Sequence, residues 1–73
     1  MKKRWTPRVM QTFYKEWALE LGTQLLGKVR YAAQSFPPYI GEVYQCGRTY
    51  TIYKGQNKQE AKNAVLMHYA KVP

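Results

Sequence analysis

Aspartate is absent from this 73-residue chain, and its only acidic residues are Glu16, Glu20, Glu42 and Glu60, dispersed without a pairing pattern. There is one cysteine, Cys46, and one histidine, His68. These shortages exclude chemistry. Paired carboxylates for general acid and base work are missing, and one thiol with one imidazole cannot supply a nucleophile, a base and an orienting group, or a zinc site. A single cysteine forms no internal disulfide, so a reducing compartment, cytosol or nucleus, is the expected location. No apolar run approaches the roughly 20 residues that span a bilayer, and no signal-peptide core follows Lys2-Lys3-Arg4. The expectation is a chain that is not an enzyme, uses no cofactor or metal, and has no membrane as partner.

Positive charge and aromatic area are what the chain has in excess. Twelve basic residues against four acidic ones give a net charge of +8, which favours a polyanionic partner, nucleic acid ahead of an anionic membrane. Seven tyrosines, two tryptophans and two phenylalanines supply enough large apolar surface for one small domain, near the size limit at which a single core suffices. Residues 1–5 read as a basic leader, whose Lys2, Lys3 and Arg4, joined by Arg8, extend the positive charge. Residues 6–73 read as the domain.

Thr6-Pro7 reads as a helix start, with proline tolerated in the first turn. Met10, Phe13, Trp17 and Leu21, flanked by Val9, Tyr14 and Ala18, recur at three- and four-residue spacing, and Gly22 supplies a stop. This predicts a core-facing helix, followed by a loop from Gly22 to Lys28. From Val29 the pattern changes to short aromatic and β-branched segments. It predicts antiparallel strands near Val29 to Gln34, Tyr39 to Cys46 and Thr49 to Lys54, with Gly47-Arg48 closing a tight hairpin. A last helix from Lys58 to about Ala70 places Ala61, Ala64, Val65, His68 and Tyr69 toward the sheet. On this reading His68 is a packed core histidine and Cys46 a small buried hydrophobe. The expected fold class is α+β in the order α-β-β-β-α, with two helices packed on one face of a three-stranded antiparallel sheet.

The start of the last helix is the most specific stretch. Asn57 can cap it through its side-chain oxygen while Glu60, three residues on, reaches back to the cap. Lys58 and Lys62 then share a helical face beside unpaired backbone N–H groups, an arrangement suited to phosphates.

With Tyr39-Ile40-Gly41-Glu42-Val43, Gly47-Arg48 and Gly55-Gln56-Asn57-Lys58-Gln59-Glu60-Ala61-Lys62, the chain from Tyr39 to Ala70 resembles the double-stranded RNA-binding domain. Met10-Gln11-Thr12-Phe13 is similar, more loosely, to the pattern of that family's first helix. The resemblance implies a non-catalytic module of a larger protein that reads A-form RNA by shape, across two minor grooves and the phosphates between them. It implies that Lys58, Lys62 and Gln59, with Lys54 nearby, meet phosphates. It also implies that Gln11, Thr12 and Lys15 on the first helix meet one minor groove, while Pro37 and Pro38 in the first interstrand loop enter the other. The expected partner is double-stranded or structured RNA. The rival is a domain of the same fold turned to protein binding or self-association through its third strand or a helix face. The short loop at Ser35-Phe36-Pro37-Pro38, and Gln59 where the family usually has lysine, speak for that rival. Lys58, Lys62 and the charge of +8 speak against it.

Overall fold

A computed structural model describes residues 2–70. Five strands, β1 (Lys3–Met10), β2 (Tyr14–Leu21), β3 (Gln24–Ala32), β4 (Tyr39–Gln45) and β5 (Arg48–Gly55), precede one helix, α1 (Lys58–Ala70). The strands form a single antiparallel meander in the order β1-β2-β3-β4-β5, and α1 packs across β3, β4 and β5 on one face.

The expected α-β-β-β-α order is therefore overturned in its first half. The segment from Thr6 to Leu21, predicted as a helix, is a β-hairpin, and there is no second helix among the described residues. Its spacing satisfies two periods at once. Trp17, Leu19 and Leu21 alternate with Glu16, Ala18 and Glu20, and that alternation is the one the fold uses, since Trp17 opposes Val29 and Leu19 opposes Gly27. Met10 and Phe13, expected in the core, are 55% and 67% exposed. Gly22 is a turn residue with φ 64° instead of a helix stop, and the expected loop to Lys28 is mostly strand. Lys3, Arg4 and Trp5 of the basic leader open β1, while Met1 lies outside the described residues.

The second half follows its sequence pattern. The β4–β5 hairpin turns at Cys46-Gly47, one residue before the expected pair. Both have positive φ, 54° and 75°, as a type I′ turn requires. Cys46 is consequently exposed at the tip and not buried. His68 is also outside the core, lying at the lower end of α1 with Nε2 3.3 Å from Gln45 Oε1.

The core is Trp17, Leu19, Leu26, Val29, Val43, Ala61 and Val65, between the sheet and α1. Close approach depends on Gly27 and Gly41. A Cβ on Gly27 would stand 2.5 Å from the Glu42 carbonyl oxygen and 3.0 Å from Val65 Cγ1, and one on Gly41 would stand 3.3 Å from the Ala61 carbonyl oxygen. Glycine beneath alanine thus brings helix and sheet backbones together. At the lower end the Tyr69 hydroxyl bridges the carbonyls of Tyr44, at 2.9 Å, and Leu26.

Candidate nucleic-acid interface

The sheet has two faces of different electrostatic character. On the face away from α1, three of the four glutamates are matched with cations. Glu20 meets Arg4 and Arg8 and accepts from the Thr6 hydroxyl. Glu16 accepts from Tyr14 and lies 3.3 Å from Lys28 Nζ. Glu42 lies 2.9 Å from Arg30 Nε, whose N–H is not aimed at it, and accepts from Arg30 Nη2 at 3.3 Å. The Tyr14 hydrogen bond first, and then Lys28, hold the Glu16 carboxyl below the usual carboxylate range. The Thr6 hydroxyl, followed by Arg8 and Arg4, does the same for Glu20. On this surface three carboxylates offset most of the charge of Arg4, Arg8, Lys28 and Arg30.

The helix side keeps its charge. The Asn57 side chain accepts from the Glu60 N–H at 3.1 Å and so caps α1 as expected, but the Glu60 carboxylate takes the Tyr53 hydroxyl at 3.4 Å instead of completing a capping box. Lys58 and Lys62 project from the first two turns toward the uncovered part of β1 and β2. Lys58 Nζ lies 5.1 Å from the centre of the Trp17 ring. Lys62 Nζ lies 5.3 Å from Trp5 and 5.6 Å from Trp17. These are cation–π distances that seat each ammonium without neutralising it. Burial, and next the charge of Lys58, push the Lys62 ammonium below the usual lysine range. Among the described residues, neither lysine has a carboxylate within 4 Å.

Antiparallel pairing brings most of the predicted residues to one end of the molecule. The β1–β2 loop holds Gln11 and Thr12, and the β3–β4 loop holds Pro37 and Pro38. The two loops are joined by a hydrogen bond from the Ala33 N–H to the Phe13 carbonyl at 3.0 Å. Strand β5 ends and α1 begins at the same end, because Tyr39 pairs with Gly55. Gln11 and Thr12 are therefore hairpin-loop residues and not the exposed face of a helix. Lys15 sits on β2 opposite Tyr31, on the α1 side and half-buried. Gln59 is turned along α1, its Nε2 donating to Asn63 Oδ1 at 3.1 Å. Lys54 does not join the group, since its pairing with Ile40 puts it on the opposite face of the sheet from Lys58 and Lys62.

The sequence pattern assigns no interface role to Trp5, Trp17 or Phe13, and Phe36 enters it only as part of the groove-entering loop Ser35-Phe36-Pro37-Pro38. Trp17 and Phe13 were absorbed into the supposed helical stripe. Phe36 carried a usable signal, a large aromatic residue in a loop beside two prolines. No protein-family model matches the sequence, and no curated protein or solved structure matches it.

Proposed function

We propose that this chain is a non-catalytic RNA-binding domain that holds the phosphate backbone of double-stranded or structured RNA along the start of α1. The observation that carries the reading is the placement of Lys58 and Lys62. Both are on one helical face, seated on tryptophan rings, and without a carboxylate within 4 Å among the described residues, while the glutamates of the opposite face are matched to other cations. An ammonium group with no carboxylate beside it gains from a phosphate, and lysine meets phosphate as a point charge without needing a fork. Lys15 extends the same surface across β2. The choice of RNA rests on the resemblance of Tyr39 to Ala70 to the double-stranded RNA-binding domain. The minor-groove contacts that a first helix would make are no part of the proposal, since that segment is a hairpin.

The test is a salt titration of affinity for a 20-base-pair RNA duplex, about the length such a site covers, beside the same sequence as DNA. Lys58→Ala with Lys62→Ala should weaken RNA binding roughly tenfold and flatten the salt slope by about two. Equal, weak binding to both duplexes, unchanged by the double substitution, would refute the proposal. One observation favours the protein-binding reading. Strand β5 is an outer strand whose Thr49-Tyr50-Thr51 stretch is exposed and uncharged, and such an edge can pair with another chain. Concentration-dependent association in sedimentation, indifferent to the lysine substitutions, is its signature.

A further inference from the structure

Phe13 and Phe36 are 67% and 85% exposed, the two most exposed large hydrophobic side chains among the described residues. A folded chain gains nothing by holding phenylalanine in water, and two of them on adjoining loops mark a surface that is completed by something else. The loops that carry them are bonded to each other through the Ala33 N–H and the Phe13 carbonyl, and the β3–β4 loop is further closed by Ser35 N–H to Ala32 carbonyl and Ala32 N–H to Pro38 carbonyl, all at 3.0 Å. The aromatic tip is therefore a built feature at the end of the sheet where α1 starts. Met10, 55% exposed, adds to it as the last residue of β1.

We infer that this tip takes unpaired nucleobases, so that the preferred ligand is RNA in which bases are exposed next to a duplex, as in a hairpin loop, a bulge or a strand end, and not a continuous duplex. The inference rests on the RNA-binding reading above and names the ligand within it. Charge and geometry favour bases over the other occupants of an apolar tip. Lys15 is five residues from Met10 and paired with it across the hairpin, and Lys58 begins α1 at the same end, so cations border the apolar patch on the α1 side. Phosphates held by Lys58 and Lys62 would leave the adjoining nucleotides beside the tip, and a phenyl ring offers any base a stacking face without requiring a particular sequence. In a continuous duplex the bases are already stacked on each other and show no face to Phe13 or Phe36.

The experiment compares three RNAs of equal phosphate number: a continuous duplex closed at both ends by chemical linkers, a hairpin with a six-nucleotide loop, and the same hairpin with 2-aminopurine in the loop. The chain is used as wild type, as Phe13→Ala with Phe36→Ala, and as Lys58→Ala with Lys62→Ala. Stacking on one or two bases should make the wild type prefer the hairpin by roughly tenfold or more. The double phenylalanine variant should lose that preference and the 2-aminopurine fluorescence change while keeping its affinity for the closed duplex. Both phenylalanines are exposed, so the variant should fold, and an unchanged circular dichroism spectrum checks it. Equal wild-type affinity for hairpin and closed duplex would overturn the inference and leave the phosphate-binding reading standing. Failure to bind any of the RNAs would overturn both. Binding to vesicles containing phosphatidylserine that disappears in the phenylalanine variant, with no hairpin preference, would assign the tip to a membrane instead.

Discussion

Gly27→Ala tests the seating of α1. The added methyl would stand 2.5 Å from the Glu42 carbonyl oxygen, 3.0 Å from Val65 Cγ1 and 3.3 Å from Val43 Cα. The first contact is with backbone of the neighbouring strand and cannot be relieved by a rotamer change, so β3 and β4 must part or α1 must lift. Overpacking of this kind costs about 1–3 kcal/mol. The unfolded chain loses freedom when glycine becomes alanine, which returns about 0.4–1 kcal/mol. The net expectation is a loss of about 1–2 kcal/mol, a substantial share of the ~4–11 kcal/mol that a domain of this length holds. In urea denaturation followed by circular dichroism, with a slope of about 1 kcal/mol/M, the midpoint should fall by about 1–2 M at unchanged slope. Val65→Ala alone should also destabilise, by about 2 kcal/mol. Combined with Gly27→Ala it should cost less than the sum of the two, because it removes one of the clashes. A midpoint for Gly27→Ala equal to the wild type would refute the reasoning. It would mean that neither the β4 backbone nor Val65 of α1 approaches Gly27 this closely.

Three other outcomes are expected. Tyr69→Phe removes a hydroxyl that bridges the Tyr44 and Leu26 carbonyls and should cost about 1–2 kcal/mol in the same denaturation assay; no loss would mean the lower end of α1 is held by packing alone. Glu16 and Glu20 have carboxyls held below the usual range, so the folded state binds fewer protons than the unfolded chain there. Their stabilisation is full above the usual carboxylate range and is lost as pH falls through the depressed values, below about pH 5. Glu16→Gln with Glu20→Gln should flatten that acid limb, and an unaltered limb would contradict the ion-pair assignment. The Lys62 ammonium, depressed by burial and then by Lys58, should titrate at higher pH in the RNA complex than in the free chain, because a phosphate favours the charged form. An NMR titration of its ε-carbon that is identical with and without RNA would remove Lys62 from the interface.

Several features were legible in local sequence because their physics is local. A helix cap needs a side-chain oxygen at Asn57 and an N–H three residues on, and both are present wherever the rest of the chain goes. The β4–β5 hairpin was legible through Gly47 between alternating strands, although its turn lies at Cys46-Gly47, one residue before the expected Gly47-Arg48. The lysine pair follows from the helical period once α1 is given, and only the details moved, such as Glu60 turning to Tyr53. The segment from Thr6 to Leu21 was not legible in the same way. Its apolar residues fit a helical stripe through Met10, Phe13, Trp17 and Leu21 and a strand face through Trp17, Leu19 and Leu21.

The sequence by itself determined the absence of aspartate, the strong positive charge, the strands β4 and β5, and a capped helix that presents Lys58 and Lys62. Tertiary structure alone decided that Lys3 to Leu21 form a hairpin, because the choice between the two periods is made by partners outside that segment: Val29 against Trp17, Gly27 against Leu19, and beyond them Val43, Ala61 and Val65 of the core. That decision reaches the interface. By adding β1 and β2 to the sheet it puts tryptophan rings under the lysines, joins the loops of Phe13 and Phe36, and pairs three glutamates with cations on the opposite face. The contacts of Lys58 with Trp17 and of Lys62 with Trp5 join distant parts of the chain, and such contacts carry no signature in the local spacing of residues.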